Sequence, residues 1–310
     1  MDTEHRPVLL EETINYLNCQ KGGIYLDGTL GRGGHTEAIL RKIDDRGTVI
    51  GIDRDMAAIK AVKKRLGGYK SLKLVHGNFI EIPVILAGLK IDRVDGMVFD
   101  LGVSSPQFDN PERGFSYRYD APLDMRMNRE QSLTAREIVN QYSREELTRI
   151  IKEYGEEKWA SRIAQFIVDF RQKQPIETTF DLVEVIKAAI PAGARRMGGH
   201  PARRTFQALR IATNDELNQL EELITKAVPL LKPGGRICII SFHSLEDRIV
   251  KSSFRELAKD CVCPPDFPVC VCDHRALIKI ITRRPVQPTK EEIETNPRAR
   301  SAKLRVAEKF

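Results

Sequence analysis

The sequence predicts an α/β fold in which a Rossmann-like parallel sheet is interrupted along the chain by an all-helical insert. Three observations lead to this prediction. Short apolar runs alternate with helix-periodic segments between residues 24 and 100, a pattern typical of a parallel sheet covered on both faces. Residues 107–213 contain no convincing central strand, and the alternation then resumes. We therefore expect the first part of the sheet domain at 1–106, the helical insert at 107–213 and the second part at 214–310.

Four strands are predicted in the first part, and three of them end at an aspartate. The apolar runs lie at 24–26, 48–52, 72–75 and 94–99, and Asp27, Asp53 and Asp100 follow the first, second and fourth. Helices are predicted at 36–43 and at Met56–Leu66, because apolar residues recur there at helical spacing.

The insert and the second part have equally clear local signals. Thr134 with Glu137 and Ser143 with Glu146 have the spacing of helix capping boxes. Apolar residues recur at helical intervals from 159 to 170 and from 180 to 190. A helix at 215–231 should stop at the Lys-Pro-Gly-Gly string, before strands expected at 236–241, 276–282 and 303–307.

Composition limits the class of protein. The 310 residues are 41% hydrophobic and 30% charged, enough to form a buried core and too apolar for disorder of a whole domain. No apolar run approaches the roughly 18 residues that cross a bilayer, and residues 1–10 do not resemble an export signal. We expect a cytoplasmic protein without a membrane partner. The net charge of +7 is compatible with a polyanionic partner.

A glycine-rich loop follows the first strand and precedes a helix, as in nucleotide-binding sites. Its glycines include Gly31, Gly33 and Gly34, and glycine permits close approach of a ligand to the backbone. Asp53 comes twenty residues after Gly33, where a carboxylate can accept hydrogen bonds from both hydroxyls of a ribose. Thr36 stands where the third glycine of a dinucleotide motif belongs, which counts against NAD.

Asp27 favours a different nucleotide-like cofactor. A carboxylate beside the glycine loop would repel a pyrophosphate, but it suits the ammonium group of S-adenosylmethionine. The alternative is that Asp27 is merely a solvated acid at a strand end. Similarly, Phe79 after the third strand can either cover an adenine ring or belong to the core.

Asp100 begins the loop where open α/β sheets hold their ligands, beyond the carboxyl end of a middle strand. The loop reads Asp-Leu-Gly-Val-Ser-Ser-Pro-Gln from residue 100 to residue 107. Glycine, proline, aromatic and charged residues then mix without a period up to Met127, as in a binding loop.

Eight strings along nearly the whole chain, in order, resemble the MraW-type family of rRNA cytosine-N4 methyltransferases. They are residues 26–35, 51–55, 100–107, 113–115, 122–127, 206–210, 241–248 and 296–301. The resemblance implies a class I S-adenosylmethionine-dependent fold with a helical insertion. It also implies methylation of a cytidine in the decoding region of 16S rRNA.

The resemblance also implies site residues. Matched positions assign cofactor binding to Gly33, Gly34, His35, Asp53, Phe79, Asp100 and Gln107, and Asp27 and Gly31 of the glycine loop complete the predicted cofactor site. Ser104-Ser105-Pro106-Gln107 replaces the Asp/Asn-Pro-Pro-aromatic motif of related enzymes. The acceptor of the amino proton is therefore either Asp100 or a backbone carbonyl of Ser104, Ser105 or Pro106. His243 is expected either to contact the substrate or to hydrogen-bond its own loop.

The predicted partner is small-subunit rRNA or the small ribosomal subunit, with no obligate protein partner evident. Arginines between 191 and 213, among them Arg195, Arg196, Arg203 and Arg204, are accompanied by no acid and would contact phosphates. A basic tail from 282 to 310, with eight Lys/Arg and four acids, would add to them. The alternative is a solvated basic face.

Four cysteines form the pattern Cys-x-Cys-x6-Cys-x-Cys at Cys261, Cys263, Cys270 and Cys272. Their number suits tetrahedral zinc, but the spacing departs from the common Cys-x2-Cys pairs, and the resemblance assigns no metal. No metal is predicted, and metal binding by this quartet stays an open alternative. Two rival functions also remain: methylation of a protein or small molecule, and non-catalytic RNA binding.

Overall fold

The computed structural model describes residues 7–195, 199–264, 267 and 269–310. By its internal contacts the chain forms two compact units. The first contains residues 1–102 and 217–310, and the second contains 103–216. Among the described residues, every helix is too short or too polar to span a lipid bilayer.

The first unit is built on a seven-stranded sheet of order β3-β2-β1-β4-β5-β7-β6. Neighbouring strands from β3 to β5 are parallel, whereas β7 is antiparallel to β5 and to β6. The prediction of a Rossmann-like α/β sheet is confirmed. The strands are β1 Ile24–Asp27, β2 Thr48–Asp53, β3 Leu72–His76, β4 Val94–Asp100, β5 Leu231–Ser241, β6 Ile278–Ile280 and β7 Lys303–Lys309.

Burial explains why the central strands are continuous apolar runs. Leu26, Ile50 and Phe99 lie fully buried on these strands, because helices cover both faces of a parallel sheet. The helices of this unit are α1 Leu10–Leu17, α2 Gly34–Ile43, α3 Met56–Leu66, α4 Ile82–Gly88, α12 Glu216–Ala227, α13 Ser244–Leu257 and α14 Lys290–Thr295. The α12 helix begins at Glu216, the last residue of the second unit.

The described residues of the second unit form helices joined by loops, with an isolated β-bridge between Pro122 and Thr178. Its helices are α5 Ser105–Asp109, α6 Ala135–Gln141, α7 Arg144–Gly155, α8 Ala160–Arg171, α9 Thr179–Ala189, α10 Ala192–Arg195 and α11 Arg203–Asn214. Both predicted capping boxes form, at the start of α6 and of α7. The unit has its own core of buried residues, which runs from Phe115 to Leu209.

Two predicted boundaries around the Lys-Pro-Gly-Gly string are wrong. The helix expected at 215–231 ends at Ala227 and continues as a 3-10 turn to Leu230. β5 begins at Leu231 rather than 236, because the Lys-Pro-Gly-Gly string is carried within the strand as an irregularity of its pairing with β4. The strand expected at 303–307 forms as β7, which pairs with β5 and β6, and Lys303 and Arg305 of the predicted basic tail both pair with Asp247.

Candidate functional site

Asp53 ends β2, and both of its carboxylate oxygens hold backbone N–H groups. One accepts the N–H of Gly31 in the glycine loop at 2.8 Å, and the other accepts the N–H of Asp55 at 2.8 Å. Each carboxylate oxygen can accept more than one hydrogen bond, so acceptor capacity remains for hydroxyl groups. Loss of water around the carboxyl group raises the pKa of Asp53.

Asp27 at the end of β1 is 1% exposed, so the interpretation of it as a solvated strand-end acid is wrong. Its carboxylate accepts the hydroxyl of Thr36 at 2.7 Å and the N–H of Thr29 at 3.2 Å. Burial raises its pKa to about 6, and these hydrogen bonds oppose the rise. Asp27 thus fixes the strand to the glycine loop and to the first turn of α2.

Asp100 ends β4, and its Oδ1 atom is buried without a hydrogen-bond partner among the described residues. Its pKa is raised to about 8, mainly by burial and in addition by the charges of Asp27 and Glu246. A buried acceptor without a donor is costly. Its own N–H donates to the hydroxyl of Thr29 at 2.5 Å. Thr29, which sequence reasoning missed, therefore links Asp27 to Asp100.

The glycine loop has the backbone that its sequence predicts. Gly31 and Gly33 have φ values of 50° and 74°, in the left-handed region that favours glycine. A Cβ atom on Gly33 would lie 2.9 Å from the Val62 side chain. Gly34 and the buried His35 begin α2. The loop therefore presents backbone rather than side chains between β1 and α2.

Phe79 follows β3 and is 7% exposed. Its ring packs edge-on against Phe99, with centroids 6.2 Å apart, and the Arg54 guanidinium lies 5.8 Å from its centroid. Most of the Phe79 ring is therefore buried in the core, and only its small exposed surface is available to stack on a base.

Ser104, Ser105, Pro106 and Gln107 belong to the helical unit, at the start of α5. The Gln107 side chain accepts the N–H of Ser104 at 3.1 Å and closes a capping box. Ser105 and Gln107 are buried. The Ser-Ser-Pro-Gln string, which replaces the Asp/Asn-Pro-Pro-aromatic motif, thus begins a helix. There the backbone N–H of Ser104 is bonded to the Gln107 side chain.

His243 and Glu246 close the loop after β5. His243 is the N-cap of α13, where its Nδ1 atom accepts the N–H of Glu246 at 3.4 Å. The Glu246 carboxylate, 2% exposed, accepts the N–H of Phe242 at 2.8 Å. The structure thus supports the loop-bonding alternative for His243. Glu246 was missed, although His-Ser-Leu-Glu has capping-box spacing.

The predicted RNA-contacting arginines are described except for Arg196, which lies outside the described residues. Arg195 ends α10, Arg203 and Arg204 begin α11, and all three are exposed. Arg204 also donates to the carbonyl of Glu156 at 2.9 Å. Arg210, further along α11, forms two 2.8 Å hydrogen bonds with the carboxylate of Glu216, so it belongs to the structure of the unit.

Comparisons with known proteins show the family of this chain. Residues 2–310 match the model of the MraW methylase family, and the chain belongs to that family. Ribosomal RNA small subunit methyltransferase H of Halothermothrix orenii is 69% identical over 306 residues, which cover 99% of this chain and 98% of that protein. The protein of the same name from Clostridium botulinum strain Kyoto is 57% identical over the full length of both chains. A solved rRNA methylase from Streptococcus thermophilus aligns with 98% of both chains at 11% identity and a TM-score of 0.44.

Proposed function

We propose that this protein transfers the methyl group of S-adenosylmethionine to small-subunit ribosomal RNA, at N4 of a cytidine in the decoding region. Family membership over residues 2–310 and relatives named as small-subunit rRNA methyltransferases support the reaction class and the RNA substrate. The choice of cytosine N4 rests on the family resemblance of the loop that begins at Asp100.

The observation that carries the cofactor assignment is the unpartnered Oδ1 atom of Asp100. Burial raises the pKa of both Asp27 and Asp100, and the charge of Asp27 also raises the pKa of Asp100. Two carboxyl groups that oppose each other's ionisation favour a ligand with positive charge. S-adenosylmethionine carries an ammonium and a sulfonium, and a pyrophosphate carries only negative charge.

Each residue of the sheet edge then has a chemical task. Asp53 accepts hydrogen bonds from the ribose hydroxyls, and the backbone of Gly31, Gly33 and Gly34 allows close approach of the cofactor. His35 at the start of α2 and the exposed part of Phe79 after β3 are the other proposed cofactor contacts. Asp27 acts mainly by its charge and by holding Thr29 and Thr36, because it is almost completely buried.

S-adenosylmethionine supplies an already activated methyl group, so the chain's main task is to position the attacking nitrogen in line. Cytosine N4 is a poor nucleophile, and an acceptor for its proton increases its electron density as the new bond forms. Asp100 is the leading acceptor, because the positive charge of a bound cofactor would favour its ionised form, and a carboxylate whose pKa is raised by burial is a stronger base than an ordinary one. The carbonyls of Ser104, Ser105 and Pro106 are the alternative acceptors, and Gln107 fixes the peptide of Ser104.

The helical unit is proposed to hold the RNA through Arg195, Arg196, Arg203 and Arg204. Exposure of the three described arginines supports this role, because phosphate contacts need accessible cations. A cytidine in structured RNA would leave its stack to react. We further propose that the protein acts in the cytoplasm, on rRNA either free or in the small subunit.

The test is mass mapping of small-subunit rRNA from cells with and without the gene, followed by methylation of that RNA by the purified protein. We expect one cytidine to lose a methyl group without the gene, and the purified protein to restore it. An Asp100→Asn variant should fold but bind the cofactor less tightly, and at saturating cofactor it should restore the methyl group at least about 100-fold more slowly, the typical contribution of a positioned proton acceptor.

Wild-type transfer by Asp100→Asn would move the acceptor role to the Ser104–Pro106 carbonyls. Methylation of a protein or metabolite instead of rRNA would contradict the substrate assignment. Failure to bind S-adenosylmethionine in calorimetry would contradict the proposed enzyme function and favour a non-catalytic RNA-binding role.

A further inference from the structure

The four cysteines in the loop between α13 and β6 come together in space. In the sequence they form two pairs, and one valine separates the two cysteines of each pair. Cys261 and Cys263 form one Cys-Val-Cys pair, and Cys270 and Cys272 form the other. The four Sγ atoms all lie within 4.8 Å of one another. The Sγ atoms of Cys270 and Cys272 are 3.6 Å apart, and those of Cys272 and Cys261 are 3.8 Å apart.

These separations are those of a tetrahedral zinc site. Four sulfurs at about 2.3 Å from a central zinc ion are about 3.8 Å from each other. Disulfide-bonded sulfurs would be about 2.05 Å apart, and the four cysteines are free thiols in this structure. The arrangement thus fits a single ion better than two disulfide bonds.

Backbone N–H groups point at three of the sulfurs. Val262 donates to the Sγ atom of Cys272 at 3.4 Å, and Val271 donates to that of Cys263 at 3.4 Å. Cys263 donates to the Sγ atom of Cys261 at 3.4 Å. Hydrogen bonds of this kind stabilise thiolates and orient metal ligands.

The loop has little else to hold it in place. The alternate residues of the two pairs point outward, with Val262 at 56% and Val271 at 68% exposed, and Val269 is 70% exposed. Residues 258–277 contain no helix or strand among those described, and loops of this length without secondary structure are uncommon in a compact domain. Apolar side chains that face solvent do not stabilise the loop, so convergence of the thiols needs another source of free energy.

We propose that Cys261, Cys263, Cys270 and Cys272 bind one zinc ion that holds the loop between α13 and β6. Binding breaks four S–H bonds, forms four Zn–S bonds and releases four protons to solvent, because the thiolate is the ligand. With four protein ligands the ion has no open position, so its role is structural rather than catalytic. This site is independent of the proposed methyl transfer.

The experiment measures metal content by mass spectrometry on untagged full-length protein, purified under reducing conditions. We expect about one zinc per chain. Cys263→Ser and Cys272→Ser should each weaken zinc affinity by at least about 100-fold, since even changes outside the ligand set cost 10–100-fold. Cys19→Ser removes a cysteine outside the loop and should leave zinc content unchanged.

Limited proteolysis gives a second measurement that does not depend on metal analysis. Chelation of zinc, or either ligand variant, should expose the loop to cleavage and leave the sheet domain folded by circular dichroism. A protein that contains no zinc, contains iron instead, or carries disulfides between these cysteines would overturn the proposal. Full zinc content in both ligand variants would overturn it as well.

Discussion

Three aspartates end β1, β2 and β4 and place carboxyl groups along one edge of the sheet. The parallel arrangement of these strands brings their carboxyl ends to one edge, so Asp27, Asp53 and Asp100 come from distant positions in the sequence to the same side of the sheet. They differ in partners: Asp27 and Asp53 are held by donors, and the Oδ1 atom of Asp100 has none among the described residues. Asp100 therefore has a buried acceptor atom that no described residue satisfies, whereas Asp53 holds two N–H groups and keeps acceptor capacity beyond them.

At Asp53, we expect substitution by alanine to weaken S-adenosylmethionine binding by about 1–3 kcal/mol, the cost of removing a charged acceptor from paired hydroxyls. Titration calorimetry measures the affinity of each variant for S-adenosylmethionine. Asp44, an exposed acid on the same unit whose partner is Lys21, provides the control, and Asp44→Ala should bind normally. Equal affinity in the Asp53 and Asp44 variants would contradict the assignment of Asp53 to the ribose.

At Asp100, the raised pKa predicts a dependence of stability on pH in the ligand-free protein. The folded state holds this proton up to a pKa of about 8, whereas the unfolded state loses it near the ordinary value of about 3.9. Its contribution to stability is therefore fully present below the unfolded pKa and is lost as the pH rises through about 8.

The measurement is the free energy of unfolding in denaturant between pH 5 and pH 9. We expect the wild-type value to fall over this range, and the Asp100→Asn variant to fall less because its side chain has no proton to lose. Asp44→Asn, at an exposed position, should retain the wild-type slope. A parallel pH dependence of Asp100→Asn and wild type would mean that Asp100 is ionised in the folded protein.

At the scale of elements, the starts of α2 and α13 in the sheet unit and of α5 in the helical unit each hold the loop that precedes them. α2 follows left-handed glycines, whereas α5 and α13 both begin with a capping box, formed by Ser104 with Gln107 and by His243 with Glu246. A helix start has unsatisfied N–H groups, so every loop that ends in a helix must supply acceptors or leave the N–H groups to a ligand.

His243 tests whether the loop after β5 is structural or substrate-contacting. Loss of an N-cap acceptor should lower the free energy of unfolding by about 0.5–2 kcal/mol in His243→Ala, and asparagine, a preferred N-cap residue, should recover most of it. Denaturant unfolding measures the change in stability, and rRNA methylation by the same variants measures any loss of activity. If His243→Asn is stable but does not methylate rRNA, the imidazole contacts the substrate; full recovery of both supports a capping role.

At the scale of the whole molecule, the two units are expected to divide cofactor and RNA binding. Arg195, Arg203 and Arg204 lie in the helical unit, and the candidate cofactor residues other than Gln107 lie in the sheet unit. Replacing these three arginines by glutamine should leave S-adenosylmethionine affinity unchanged and weaken RNA binding. Each lost phosphate contact should also reduce the slope of log affinity against log salt by roughly 0.7–0.9.

A control variant removes equal charge from the same unit. Arg144, Arg149 and Lys152 are exposed on α7, and their replacement by glutamine should change the salt slope much less. If the two variants weaken RNA binding equally, net charge rather than these particular arginines governs affinity. If neither variant weakens it, the exposed Arg283, Arg284 and Arg300 become the leading contacts.

Local patterns in the chain were sufficient to predict the sheet, the helical character of 107–213 and the strand-end aspartates. Periodicity and capping are short-range properties, and α6, α7 and α3 begin where Thr134, Ser143 and Asp55 cap them. The short helices α1 and α4 were missed because they are only eight and seven residues long, too short for a clear apolar period. Family resemblance, rather than periodicity, predicted the RNA substrate.

Tertiary structure decided which of the predicted residues have partners and which do not. Asp27 and Asp100 both follow apolar strands, yet Asp27 meets Thr29 and Thr36, while Oδ1 of Asp100 is buried without a partner. The cysteine spacing counted against a metal, but the folded loop brings all four Sγ atoms within 4.8 Å. Burial, and the pKa values that depend on it, are set by the packing of the whole chain, as when Asp27 and Glu246 raise the pKa of Asp100, so patterns of neighbouring residues do not reveal them.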